Sequence, residues 1–464
     1  MSSSAWRSSA HLQAPAWWDR RSAQRLAVIT WSTLWLFSLQ LGPVYTLRVR
    51  AAPLVVDFTD DLFVGLWFVV LTGAGIVLQR WCGRPLQLGR VGRLVVAWWG
   101  VLAVSTLWSV DRVRTFDQMI LLLGTLLAAR AGVAILTRTE LLVTLWASSQ
   151  LGAVVAYRAV TAKWVGSIDD YGSWTGIYFN RNSLGPVASV GLLTTAWLIV
   201  PIARRLRRRG GGPLALGASV AGAIASIPLA VIDVRLLRGS GSATSIVAAA
   251  AATAAVVVAV GVRRVTGARS LRARSTLLAS VLAVGSAVGA TTMWTVLPRV
   301  FGKSSDYNRR GEIWRLVLRA IRVHPVRGWG WTAAWTDPGF MDRVFTTLGQ
   351  PIGSAHNGLL EVVLGAGVLG GALAAVMIIA VVGRVITDVH REGPLPWLPL
   401  GLVTYALMMN VMESFLVADV QPLALRLHRR RGAPSGVTWP VPPPARRRAS
   451  GAPAAERRPH GSSP

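Results

Sequence analysis

The chain has 464 residues, of which 52% are hydrophobic and 15% charged. Soluble domains average about a quarter charged, so a string of soluble domains is excluded. The formal net charge of +29 does not indicate a nucleic-acid partner, because the arginines gather in short turns between apolar runs. Lysine occurs only at Lys163 and Lys303, so the basic charge is almost wholly arginine. Cys82 is the single cysteine, which excludes an intrachain disulfide and a cysteine metal cluster.

Apolar runs fall near 26–44, 62–78, 94–110, 118–136, 140–160, 184–202, 214–233, 243–262, 276–297, 357–382 and 396–412. Their lengths suit a bilayer crossing, which takes about 17–25 residues. The expected fold is an all-α polytopic membrane protein of about 11–12 transmembrane helices with one large extracytoplasmic loop. Residues 1–25 form a cytoplasmic segment, 26–297 hold the first nine helices, and 298–356 form the loop with its amphipathic helix. Residues 357–427 hold the C-terminal helices, and 428–464 are a basic tail whose Pro, Arg, Ser and Gly predict disorder. The first run follows Arg20, Arg21 and Arg25 and reads as a signal anchor. Turns at 79–93, 203–213, 263–275 and 383–395 are arginine-rich or mixed and fall on the cytoplasmic side. A twelfth run through 414–427 carries Asp419 and Pro422 and is short.

The loop at 298–356 is the long polar departure from this pattern. Between Gly311 and Val323, Glu312, Arg315, Arg319 and Arg322 recur on one helical face, and Trp314, Val317, Leu318 and Ile321 on the other. Two placements suit such a helix equally: flat on the membrane surface, or packed on its own domain. Pro325 ends it, and Gly328 and Gly330 permit a tight bend.

The candidate chemistry sits around this loop. Arg309 and Arg310 open the helix, where guanidinium groups bind phosphate oxygens or anchor lipid headgroups. His356, followed by Asn357, stands where the loop meets a span and can accept a proton near neutral pH. Glu361 and Glu413 are carboxylates at span ends, expected to pair with arginine. Arg181 and Asn182 precede the span at 184–202, and Arg235 and Arg238 end the one before Ser240. No zinc signature, Walker loop, dinucleotide loop or nucleophile elbow occurs, and an acidic pair, Asp169-Asp170, lies in the loop before Arg181.

At these residues the chain resembles the O-antigen ligase/polymerase family of membrane glycosyltransferases. Arg310 stands four residues before Trp314, and a Pro-x-x-Gly-x-Gly segment follows at Pro325, Gly328 and Gly330. His356-Asn357 then opens the next span, and a late Asn-x-x-Glu is met by Asn410 and Glu413. Upstream, a Gly-x-Phe-x-x-Lys-Asn-x-x-Gly pattern is similar to Gly176–Gly185, with Phe179 displaced by one, Arg181 for lysine and Asn182 kept. The family's Ser-Arg-Thr is here Ser242-Ala243-Thr244, which leaves Arg238 or Arg235 as the substitute.

The resemblance implies a GT-C-like bundle that polymerises or ligates polyprenyl-diphosphate-linked saccharides at the outer face of a bacterial cytoplasmic membrane. His356 and Arg310 would be catalytic. Arg309, Arg238, Arg235, Arg181, Asn182, Asn357 and Glu413 would bind substrate. The implied reaction is inverting, with no metal and no cofactor. Its partners are the lipid-linked donor, a saccharide or glycolipid acceptor and membrane lipids. The competing readings are a flippase, which would concentrate charge within spans and show repeats, and a non-catalytic partner of a cell-wall machine.

Overall fold

A computed structural model of the chain describes residues 20–40, 43–49, 62–84, 88–178, 180–207, 213–266, 270, 272–282, 309–349, 352–390 and 395–414. Helices account for nearly all of it: α1 (Arg20–Ser38), α2 (Pro43–Val49), α3 (Leu62–Trp81), α4 (Arg90–Val104), α5 (Arg112–Ile135), α6 (Arg138–Thr161), α7 (Arg181–Arg207), α8 (Pro213–Ser240) and α9 (Ala243–Thr266). After a helical segment at 272–282 come α10 (Arg310–Val323), α11 (Pro338–Leu348), α12 (Gly358–Asp388) and α13 (Leu398–Met412). The protein is an all-α polytopic membrane protein. Helices are the expected answer to a lipid solvent, since each satisfies its own backbone.

Seven helices among the described residues are long and apolar enough to cross a membrane, and two more, Gly65–Trp81 and Leu398–Met412, are apolar but shorter. The expected run at 26–44 becomes α1, which starts earlier, carries Arg20, Arg21 and Arg25, and is not among the seven. The run at 276–297 is described, as helix, only to residue 282. The expected twelfth run, the basic tail and Phe179 lie outside the described residues.

Polar groups set the helix ends. Thr137 and Glu140 cap α6 reciprocally, Thr137 Oγ1 accepting from the Glu140 amide at 3.2 Å and Glu140 Oε2 from the Thr137 amide at 2.8 Å. The same carboxylate receives Arg25 Nη1 at 3.1 Å, which ties α1 to α6. Within the bundle, Asp233 of α8 is buried against Gly191 of α7, where a Cβ would stand 2.7 Å from Oδ1. Gln150 Nε2 donates to its other oxygen at 2.8 Å.

α7 and α13 run antiparallel. Ser189 Oγ and the Tyr405 hydroxyl are 2.7 Å apart, while Trp197 lies over Gly401. Arg181 stands eight residues before Ser189 and Glu413 eight residues after Tyr405, each about 12 Å further along at 1.5 Å per residue. Arg181 and Glu413 therefore occupy the same end of the bundle.

α12 is broken. Gly367 has φ 66° and ψ −171°, and across the break a strap from the preceding loop supplies the hydrogen bonds. Trp329 and Gly330 donate their amides to the carbonyls of Leu364 (3.0 Å) and Gly365 (2.9 Å), and Val368 donates to Pro325 (2.8 Å). Gly328 and Gly330 both have positive φ, and a Cβ on either would overlap Gly365 or Ser109. The Pro-x-x-Gly-x-Gly segment is thus the strap. Its far side is held by Val110 N–H on the Trp329 carbonyl (3.1 Å) and Thr115 Oγ1 on the Trp331 carbonyl (3.0 Å).

Candidate active site

The loop helix α10 buries Ile313, Leu316, Val317, Ala320 and Ile321 in one core with Trp329, Trp335, Phe340 and Leu364. Its apolar face therefore packs on protein and is not laid on the membrane, while Leu318, expected on that face, is 45% exposed. Indole groups fasten the pieces. Trp329 Nε1 donates to the Ala320 carbonyl at 2.9 Å, and Trp314 Nε1 to the Ala355 carbonyl at 3.0 Å. Glu361, in the first turn of α12, accepts from Trp335 Nε1 at 2.6 Å and from the Ala355 amide at 2.7 Å. These bonds hold residues 354–357 against the start of α12.

His356 sits in that held segment in the left-handed region, with φ 47°. A non-glycine residue held there costs energy and keeps its place only where its surroundings determine it. Asn357 caps α12, its Oδ1 accepting from the amides of Leu359 (3.1 Å) and Leu360 (3.0 Å). Its Nδ2 donates to the Val411 carbonyl at 3.1 Å. One side chain thus caps the helix and fastens it to the end of α13. Gly358 allows the approach, since a Cβ there would overlap the Asn410 amide.

Glu413 follows α13 and joins the catalytic candidates. Arg310 Nη2 donates to Glu413 Oε1, and His356 Nδ1 lies 2.9 Å from Glu413 Oε2. The three side chains are between 9% and 17% exposed. Burial alone would raise the Glu413 carboxyl, but the Arg310 guanidinium and the His356 hydrogen bond and charge hold it below the usual carboxylate range. An ionised Glu413 favours the His356 tautomer with its proton on Nδ1, which puts the basic lone pair on Nε2.

The neighbouring arginine takes a different part. Arg309, also left-handed with φ 66°, donates to the carbonyls of Leu348 (2.6 Å) and Thr347 (2.7 Å) and to Glu312 (2.7 Å). It caps the end of α11, so the two adjacent arginines point to different partners. We expect Arg309→Ala to cost about 1–3 kcal/mol of stability and to leave turnover per folded molecule within a few-fold of the unaltered protein. Thermal unfolding and turnover measured on the same preparation separate the two effects.

The remaining candidates lie at the same end without direct contact to this trio among the described hydrogen bonds. Arg181 Nη1 reaches Ser173 Oγ at 3.3 Å, and Asn182 is half-buried in the first turn of α7. Arg235 Nη1 bonds the Tyr157 hydroxyl at 2.7 Å. Arg238 is exposed near the end of α8, where Gly239 accepts the Trp174 amide at 3.0 Å. α9 begins beside Gly185 of α7, where a Cβ would stand 2.7 Å from Ser245 Oγ. The N-termini of α7 and α9 thus adjoin, the N-terminus of α12 lies at the same end of the bundle, and their dipoles favour an anion. Sequence reasoning passed over Trp335 and Ser105, which hold the loop, Ser105 Oγ accepting the Trp331 amide at 3.1 Å. The available signal was the density of tryptophan at Trp314, Trp329, Trp331 and Trp335.

Residues 173–375 match the family model described as O-antigen ligase. The match spans Arg181, the strap and the His356 segment and ends before Glu413. No curated protein and no solved structure matches the chain. Residues 173–375 of this multi-pass helical protein are therefore similar to the O-antigen ligase family.

Proposed function

We propose that the protein transfers a saccharide from a polyprenyl diphosphate to an acceptor hydroxyl at the extracytoplasmic face of the cytoplasmic membrane, with Arg310, Glu413 and His356 as its centre. The observation that carries the reading is the Glu413 carboxylate bridging Arg310 and His356. A carboxylate that fixes one imidazole nitrogen makes the other a directed proton acceptor. His356 Nε2 takes the acceptor's hydroxyl proton as that oxygen attacks the anomeric carbon. The bond from this carbon to the diphosphate oxygen breaks, and the diphosphate leaves with the electron pair. A single displacement inverts the anomeric configuration.

The leaving group is strongly anionic, and charge placed against it in advance lowers the barrier. Arg310 is half-engaged by Glu413 and keeps further donors for a phosphate oxygen. Arg181 and Arg238, with the helix N-termini at this end, supply the rest, and Arg238 stands in for the arginine absent at Ala243. Arg309 and Asn357 support the fold of the site, consistent with the backbone groups each satisfies.

The test is reconstitution of the purified protein with polyprenyl-diphosphate oligosaccharide and EDTA, compared with His356→Ala and Arg310→Ala. We expect longer glycans or a glycosylated acceptor from the unaltered protein, and a loss of about 100-fold or more in either variant. Transfer that persists in both folded variants would remove these residues from the mechanism.

A further inference from the structure

Three spans end on the strap. The span Arg90–Trp108 is fastened to it by Trp108 Nε1, which donates to the Arg327 carbonyl at 2.8 Å. α5 begins at Arg112, two residues after Val110, whose amide donates to the Trp329 carbonyl at 3.1 Å. The part of α12 beyond its break runs to Asp388 from Val368, whose amide donates to the Pro325 carbonyl at 2.8 Å. At 1.5 Å per residue these three stretches measure about 28–36 Å, close to the hydrocarbon thickness of about 30 Å. The far ends of α5 and α12 are level as well, since Asp388 pairs at 3.8 Å with Arg138, three residues past the end of α5. Residues 325–330 therefore lie where the hydrocarbon meets the headgroups, at the end of the bundle that carries His356.

The exposed surface at this level is of two kinds. Leu107, Val110, Val113, Val326 and Val368 are 47–73% exposed. They stand on segments hydrogen-bonded to one another, so they form an apolar rim rather than scattered side chains. Trp108 lies among them, and its amphipathic ring suits the membrane boundary. Beside this rim Arg112, Arg322 and Arg327 are exposed. No ion pair among the described residues engages any of the three. Asp111, the carboxylate next to Arg112, is occupied as the cap of α5, its Oδ1 accepting the Arg114 amide at 3.0 Å. Free guanidinium groups over an apolar rim have one complement at this depth, a phosphate that carries acyl chains.

We propose that this rim binds anionic phospholipids of the adjoining leaflet. Arg112, Arg322 and Arg327 take the headgroup phosphates, and Leu107, Val113 and Val326 lie against the acyl chains. Headgroups bound there brace the strap from its lipid side, opposite the hydrogen bonds it makes to α12. The lipid is not turned over, and its binding does not depend on the transfer chemistry proposed above.

The test uses the full-length protein with Cys82→Ser and Val326→Cys, a fluorophore on the new thiol, reconstituted in phosphatidylcholine vesicles with a minor share of phosphatidylglycerol. Brominated acyl chains are placed on one lipid or the other, and quenching is read per mole of brominated lipid. Brominated phosphatidylglycerol is expected to quench about 5-fold more strongly than brominated phosphatidylcholine. Replacing Arg112, Arg322 and Arg327 together by glutamine should bring that ratio close to one. Replacing Arg80, Arg84 and Arg93, exposed arginines at the opposite end of the spans, should leave it unchanged. Thermal unfolding checks that each variant is folded. The single changes, each expected to lower the ratio about 2-fold, serve where the triple variant does not fold. Equal quenching by the two lipids, quenching by aqueous iodide alone, or an equal fall of the ratio in both triple variants overturns the proposal.

Discussion

Glu413→Gln is expected to lower saccharide transfer about 100-fold or more while the chain still folds. Arg310 only donates hydrogen bonds, so the one amide oxygen of glutamine turns to it. The amide NH₂ then faces His356 Nδ1, which must accept rather than donate. The ring proton moves to Nε2, and the base proposed to take the acceptor's proton is gone. Glu413→Ala goes further, because it leaves the buried Arg310 charge without its carboxylate, a loss of about 3–5 kcal/mol in comparable pairs.

The same carboxylate gives an acid limb to stability. Its folded-state pKa is lowered, so the unfolded chain binds the proton more readily. The contribution is fully present above the unfolded value of about 4.3 and is lost as pH falls through the folded value. Denaturant midpoints of the unaltered protein should hold from neutrality to about pH 5 and fall in the region below. Glu413→Gln should show a shallower fall. An identical acid limb in both proteins would contradict the bridging role.

Gly367→Ala is expected to cost about 3 kcal/mol or more and to abolish transfer through misplacement of the loop. A side chain at φ 66° and ψ −171° enters a region open essentially to glycine alone. Its Cβ would also overlap the Val326 carbonyl. The strap cannot withdraw to make room, because Trp329 and Gly330 are already hydrogen-bonded on the other side of the break. Gly383→Ala in the same helix is the control. Nothing lies within 4 Å of its added Cβ, so it should be neutral or stabilise by up to about 1 kcal/mol. Thermal unfolding of both variants, with limited proteolysis of the 324–337 segment, reads the difference.

What the sequence disclosed follows from where its signals are local. The spans at 62–78, 94–110, 118–136, 140–160, 184–202, 214–233, 243–262, 357–382 and 396–412 all overlap helices, whose ends differ from them by up to seven residues, because lipid demands a long apolar run and arginine marks its ends. The pairing of Glu413 with an arginine follows the expectation that a buried carboxylate needs a cation, whereas Glu361, of which the same was expected, accepts from Trp335 and the Ala355 amide. The break at Gly367 was not legible. In GAGVLGG it looks like its neighbours, and the strap residues that decide between them lie far upstream. Arg309 and Arg310 are equivalent in sequence as well. One sits in the left-handed region outside the helix and the other in its first turn, and that difference in backbone sends one guanidinium to a helix cap and the other to Glu413.

The strap has a bearing on how the molecule is made. The carbonyls of Leu364 and Gly365 belong to a span but find their donors in a loop, and hydrocarbon offers no replacement for them. Translation delivers the loop before α12, so a loop that has reached its proper side is ready to complete the span as it arrives. A loop stranded on the other side leaves the membrane holding a helix with exposed backbone, a defect of several kcal/mol. Mis-inserted chains are then expected to be less stable than correctly inserted ones. Completion of this span and placement of the loop on its proper side are therefore linked.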